Sequence, residues 1–104
     1  MEIQEAQQKV LRHDQARGWD YFHPLEIFAN MNEEMAEIWQ KIAWVNDAQK
    51  QERAKARASE IEFDIGDLLH LVLKLANQFD VDAERGLERV LEKFGNDHPP
   101  AKGK

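Results

Sequence analysis

The chain has 104 residues, a net charge of −6 and 33% charged side chains, which allows one small domain and no second core. The acidic balance disfavours a general binder of nucleic acid or of anionic membranes, since both need a basic surface to displace counterions. Without cysteine, disulfides and thiolate metal sites are excluded.

The start, Met1-Glu2-Ile3-Gln4-Glu5, is polar and lacks an apolar signal core, and no apolar run approaches the roughly 20 residues of a membrane span. A cytoplasmic protein is expected. Residues 2 to about 17 read as a first helix with Ile3, Ala6, Val10 and Leu11 on one side, stopped by Gly18. Trp19, Tyr21, Phe22 and His23 then load a short connector with aromatic rings, and Pro24 suits the first turn of a second helix. That helix is expected to reach about Val45, with Ile27, Met31, Ile38 and Ile42 at helical spacing.

The stretch from Asn46 to Ala58 is polar and rich in Lys, Arg and Gln, and reads as a solvated helix end or linker. A third helix runs from about Ser59 to Phe79. Its broad apolar stripe of Ile61, Ile65, Leu68, Leu69, Val72, Leu75, Ala76 and Phe79 marks it as the core helix. Asp80 or Asp82 caps a fourth, which continues to about Phe94 with Val81, Leu87, Val90, Leu91 and Phe94 inward. The expected architecture is all-α, a four-helix bundle over residues 1–95 with a flexible tail at 96–104. A core this small gains from partner subunits or bound metal.

Chemistry concentrates in the carboxylates. Glu34 and Glu37 stand three apart on the second helix, so both can point at one ion. Asp64 and Asp67 repeat that spacing on the third helix, inside its apolar stripe, where an uncompensated carboxylate is costly and a cation should meet it. Mg²⁺ is the natural choice, a hard cation that prefers oxygen ligands and keeps waters a phosphate can displace. Solvated faces of two amphipathic helices are the plain alternative. Lys41, four after Glu37, and Lys74, seven after Asp67, are candidates to meet phosphate oxygens; their bland readings are an i,i+4 ion pair and a snorkelling surface lysine. Trp19, His23 and Trp44 are less easily absorbed as core residues than Phe22, and offer stacking surfaces for a planar base.

These residues resemble the MazG-like nucleotide pyrophosphohydrolase superfamily. Glu33-Glu34-Met35-Ala36-Glu37 is similar to the family's Glu-Glu-x-x-Glu, and Asp64-Ile65-Gly66-Asp67 to its Glu-x-x-Asp with Asp for Glu. The run from Gly66 to Ala76, then Val81-Asp82-Ala83-Glu84, resembles the family's third helix and Asp-started fourth. Trp19-Asp20-Tyr21-Phe22-His23-Pro24 is similar to the Trp-x-x-Phe-His segment of the deoxycytidine-triphosphatase-like branch, and Trp44 falls where that branch has a base-side tryptophan.

The resemblance implies Mg²⁺-dependent cleavage between the α- and β-phosphates of a nucleoside triphosphate, in a bundle completed as a homodimer or dimer of dimers. Glu34, Glu37, Asp64 and Asp67 are then the metal ligands, with Mn²⁺ as a substitute ion. Glu33, turned roughly 100° around the helix, is a candidate general base or a support behind the ligands. Lys74 and Lys93 would neutralise the departing pyrophosphate, and Trp19, His23 and Trp44 would hold the base. Two departures stand out: Phe63 where the family often has an acid, next to an Asp64 one methylene shorter than Glu, and no arginine after Lys93 and Asn96 to grip the phosphates. They favour the competing expectation of a non-catalytic helical interaction module. A di-iron carboxylate bundle needs Glu-x-x-His twice, whereas this chain has only Asp67-Leu68-Leu69-His70.

Overall fold

A computed structural model describes residues 2–101. Five helices follow one another: α1 (Ile3–Arg17), α2 (Pro24–Gln40), α3 (Asp47–Ala56), α4 (Ala58–Gln78) and α5 (Ala83–Asp97), with no strand among the described residues. The all-α expectation holds, with one helix more than the pattern suggested. The polar stretch after Asn46 forms a helix of its own because Asn46 caps it, its Oδ1 accepting from the Gln49 N–H at 2.9 Å. Helix α2 ends at Gln40 rather than Val45. Its last turn tightens, with the N–H groups of Lys41 and Ile42 bonded three residues back to Ile38 and Trp39 at 3.2 Å.

The other boundaries follow from local chemistry. Gly18 closes α1 at φ 70°, a left-handed position that suits glycine, and directs the Trp19 N–H to the Asp14 carbonyl at 2.8 Å. Asp80, at φ 53°, turns the chain out of α4. Asp82 rather than Asp80 caps α5, its Oδ1 accepting from the N–H groups of Glu84 and Arg85 at 3.0 and 3.3 Å. The helix continues to Asp97, past Gly95, so residues 96 and 97 belong to α5 rather than to a tail; residues 102–104 lie outside the described residues.

Helix α4 is the hub, packed by α2, α1 and α3, while α5 leans mainly on α1. A side-chain amide clamp sets that last arrangement. Gln7 of α1 donates through Nε2 to Asn77 Oδ1 at 3.0 Å and to the Val81 carbonyl at 2.7 Å, and accepts the Ala83 N–H at 2.9 Å. Asn77 Nδ2 returns a bond to the Gln7 carbonyl at 3.1 Å. The clamp holds the α4–α5 turn against α1.

The apolar interior is small: Ile27, Leu71, Leu73 and Ala76 are its buried hydrophobic members. Several residues expected inward are instead open, among them Ile65, Leu69, Val72 and Phe79 of α4, Val81 after it, and Leu87, Val90, Leu91 and Phe94 of α5. The reason is stoichiometric, because α4 carries apolar side chains on more sides than α1, α2 and α3 can cover. The radius of gyration is 17.0 Å, against about 13 Å for a compact domain of this size. One copy therefore leaves an extended, half-covered bundle.

Candidate metal centre

Helices α2 and α4 pack closely and antiparallel, so their acidic pairs meet: Glu37 faces Asp64 and Glu34 faces Asp67. Ligand oxygens of Glu34, Glu37 and Asp64 all lie within 4.8 Å of one another. Asp64 is buried, Glu34 and Asp67 are half-buried, and Glu37 is exposed. Asp67 stands beside Glu34. Burial, then the charges of Asp67 and Glu37, the hydrogen bond with Asp67 and the charge of Asp64, hold the Glu34 carboxyl above its usual range. The donor set suits a hard divalent cation: carboxylate oxygens from two rigid helices, mutually repelling and open to solvent on the Glu37 side.

Lys41 also enters this group. Its Nζ donates to Asp64 Oδ2, and both side chains are largely buried, at 16% and 11% exposure. The i,i+4 partner expected from sequence, Glu37, is not the one it takes. Two clefts flank this lysine. One of about 390 Å³ is lined by Glu37, Gln40, Lys41, Trp44 and Arg57. The other, about 470 Å³, is lined by Lys41, Arg57, Ser59, Glu60, Phe63 and Asp64. Trp44 is exposed and meets Trp39 edge-on at 5.2 Å. Arg57 bonds Glu60 at 2.5 Å, which raises the guanidinium pKa and lowers that of the Glu60 carboxyl. Glu33 faces solvent.

The remaining candidates lie elsewhere in the single chain. His23 precedes α2, and the eleven residues to Glu34 span roughly 16 Å of helix. Its N–H donates to Gln78 Oε1 at 2.6 Å, and its ring stacks on Tyr21 at 4.2 Å. Trp19 packs against His13 at 5.7 Å, with the Arg17 guanidinium and the Lys74 ammonium each 5.9 Å from its ring. Lys74 lies about 10 Å along α4 from Asp67 and pairs with Asp14 at 3.8 Å. Lys93 pairs with Asp97 at 3.2 Å in a cleft of about 570 Å³ that also takes in Arg89 and Asn96. That cleft shares no lining residue with the two beside the carboxylates.

Two participants escape a reading of the sequence. Asp14 is buried at 3% exposure, although its place four residues after Val10 on the apolar face of α1 was a usable signal. Arg57 carried no signal, because only the turn between α3 and α4 brings it beside Lys41.

A family model described as the MazG nucleotide pyrophosphohydrolase domain matches residues 22–101. The uncharacterized protein YpjD of Bacillus subtilis (strain 168) is 32% identical over 74 residues, covering 71% of this chain and 66% of that protein. The chain thus spans slightly under two thirds of that relative's length. No solved structure matches. The matched span contains both acidic pairs and the helices that carry them, and on that ground the chain belongs to the MazG nucleotide pyrophosphohydrolase domain family.

Proposed function

We propose that the chain hydrolyses a nucleoside triphosphate, ribo or deoxyribo, to the monophosphate and pyrophosphate with Mg²⁺ held by Glu34, Glu37, Asp64 and Asp67. The observation that carries this reading is the meeting of Glu34, Glu37 and Asp64 within 4.8 Å, with Asp67 alongside, in a chain of this family. Bound there, the cation would screen phosphate charge and acidify a coordinated water. Asp64 and Asp67 are anchored on the hub helix, so they fix the position of the site. The more exposed Glu37 and Glu33 lie on the solvent side, and Glu33 would take a proton from an incoming water. Trp44 lines the adjoining cleft and offers a stacking face for a base. No helix among the described residues is long and apolar enough to cross a membrane, and a cytoplasmic setting suits a triphosphate substrate. The test is pyrophosphate release from a panel of ribo- and deoxyribonucleoside triphosphates with Mg²⁺, with Mn²⁺ and with chelator. Release confined to the metal-containing arms supports the reading. No release from any substrate would favour a helical interaction module.

The functional unit we propose is a homodimer or dimer of dimers. The open apolar side chains of α4 and α5 support it, as does the extended shape of one copy. Assembly between copies offers Trp19, His23 and Lys93, remote from the carboxylates within one chain, a route to the site of a neighbour, whereas Lys74 is held by Asp14 of its own chain. Leu91→Glu, placed among Leu87, Val90 and Phe94, is expected to shift the protein to monomer in sedimentation velocity and to lower its melting temperature. An unchanged sedimentation coefficient would count against a dimer through α5.

A further inference from the structure

Resting on the metal-site reading above, we propose that Lys41 is an exchangeable counter-ion of the carboxylate site, holding Asp64 when no divalent cation is bound and turning to substrate phosphate when one is. Three observations lead there. Lys41 Nζ bonds Asp64 Oδ2, the most buried carboxylate of the group. An ammonium on that oxygen neutralises part of the repulsion among Glu34, Glu37, Asp64 and Asp67, the same work a metal would do. A divalent ion on Asp64 would face a positive charge at contact distance, so the lysine and the metal oppose each other.

Where the lysine can go is also laid out. Its side chain sits on the boundary between the two clefts, and both include Arg57. The cleft away from Asp64 contains Trp44 and Gln40 but only one carboxylate, Glu37. Lys41 swung into it would join the Arg57 guanidinium, which is paired through Nε with Glu60 and keeps its other N–H groups for phosphate oxygens, giving two cations beside a metal site. This supplies a phosphate grip from the α2–α3 side. It also places the grip next to the metal ligands, whereas Lys74 is already engaged by Asp14 and Trp19.

The test is calorimetric and independent of turnover. Mg²⁺ is titrated into the full chain and into Lys41→Met and Lys41→Arg, followed by inorganic pyrophosphate in saturating Mg²⁺. Lys41→Met is expected to bind Mg²⁺ about tenfold more tightly than the native chain, because the competing charge is gone. The same variant should bind magnesium pyrophosphate about tenfold more weakly. Lys41→Arg should stay near the native chain in both titrations, and Lys41→Gln should repeat the methionine result should that variant fail to fold. A lysine with a purely structural role would not move the two affinities in opposite directions. Equal or weaker Mg²⁺ binding by Lys41→Met overturns the exchange, and unchanged pyrophosphate binding overturns the delivery to phosphate. If the native chain and every variant bind no Mg²⁺, the metal-site reading falls first and this inference with it. Native binding with no effect of Lys41 removes this inference alone.

Discussion

Glu37→Ala and Asp67→Ala are each expected to lower pyrophosphate release by about 10²–10³-fold at saturating Mg²⁺, the scale on which a single preorganised charge group contributes to catalysis. Each of the two should retain the helical fold, because Glu37 is exposed and Asp67 only half-buried. Stability should move separately from activity. Glu34 is held above its normal pKa by burial and by the charges of Asp67, Glu37 and Asp64, so its ionised form works against the folded chain. Glu34→Gln removes that repulsion and is expected to stabilise the metal-free protein by about 1 kcal/mol, or roughly 5 °C. Mg²⁺ at a hundredfold excess over its dissociation constant would stabilise the native chain by about 2.7 kcal/mol, and the variant far less. The order of melting temperatures should therefore reverse between chelator and Mg²⁺. Undiminished turnover in Glu37→Ala or Asp67→Ala would sink the four-carboxylate site. A melting temperature for Glu34→Gln below the native value in chelator would remove the repulsion argument.

The largest effect on stability is expected from Lys74→Met. Asp14 is buried, and its Oδ1 accepts no hydrogen bond. Its charge is met by Lys74 at 3.8 Å, itself only 14% exposed, and by the more open His13 at 3.6 Å, which contributes charge only when protonated. Removing the lysine leaves a carboxylate enclosed between α1 and α4 with no permanent cation. That should cost about 3 kcal/mol, lowering the melting temperature by more than about 10 °C. Asp14→Asn should cost less, about 1 kcal/mol, because the freed ammonium retains the face of Trp19 at 5.9 Å. The double change Asp14→Leu with Lys74→Met is expected to recover most of the loss, since no charge is then left buried. Thermal denaturation of the three variants reads this directly. Equal costs for Lys74→Met and Asp14→Asn would show that the pair is already solvated in the native protein.

Much of the local structure could be read without coordinates because it rests on short-range chemistry. Gly18 ends α1 as its freedom at positive φ requires, Pro24 opens α2, and Asp82 caps α5. The stretch from Asn46 misled because its polar composition reads as a solvated helix end or linker and not as a separate helix. Asn46 is itself a cap, and charged residues form a helix readily when one face rests on α4. The acidic pairs were legible for a related reason: spacing of three on a helix fixes a shared face whatever surrounds it.

What sequence alone determined is thus the helical class, most of the helix ends and the two pairs of carboxylates that face each other. Each depends on residues within a few positions of one another, and such distances are set by helix geometry. Tertiary structure decided how the charges are matched. Lys41 takes Asp64 across the α2–α4 interface and not its neighbour Glu37, and Lys74 is drawn to Asp14 on α1. It also left the apolar stripes of α4 and α5 open. Periodicity marks a side chain as apolar-facing but carries no information on which element, or which copy of the chain, arrives to cover it.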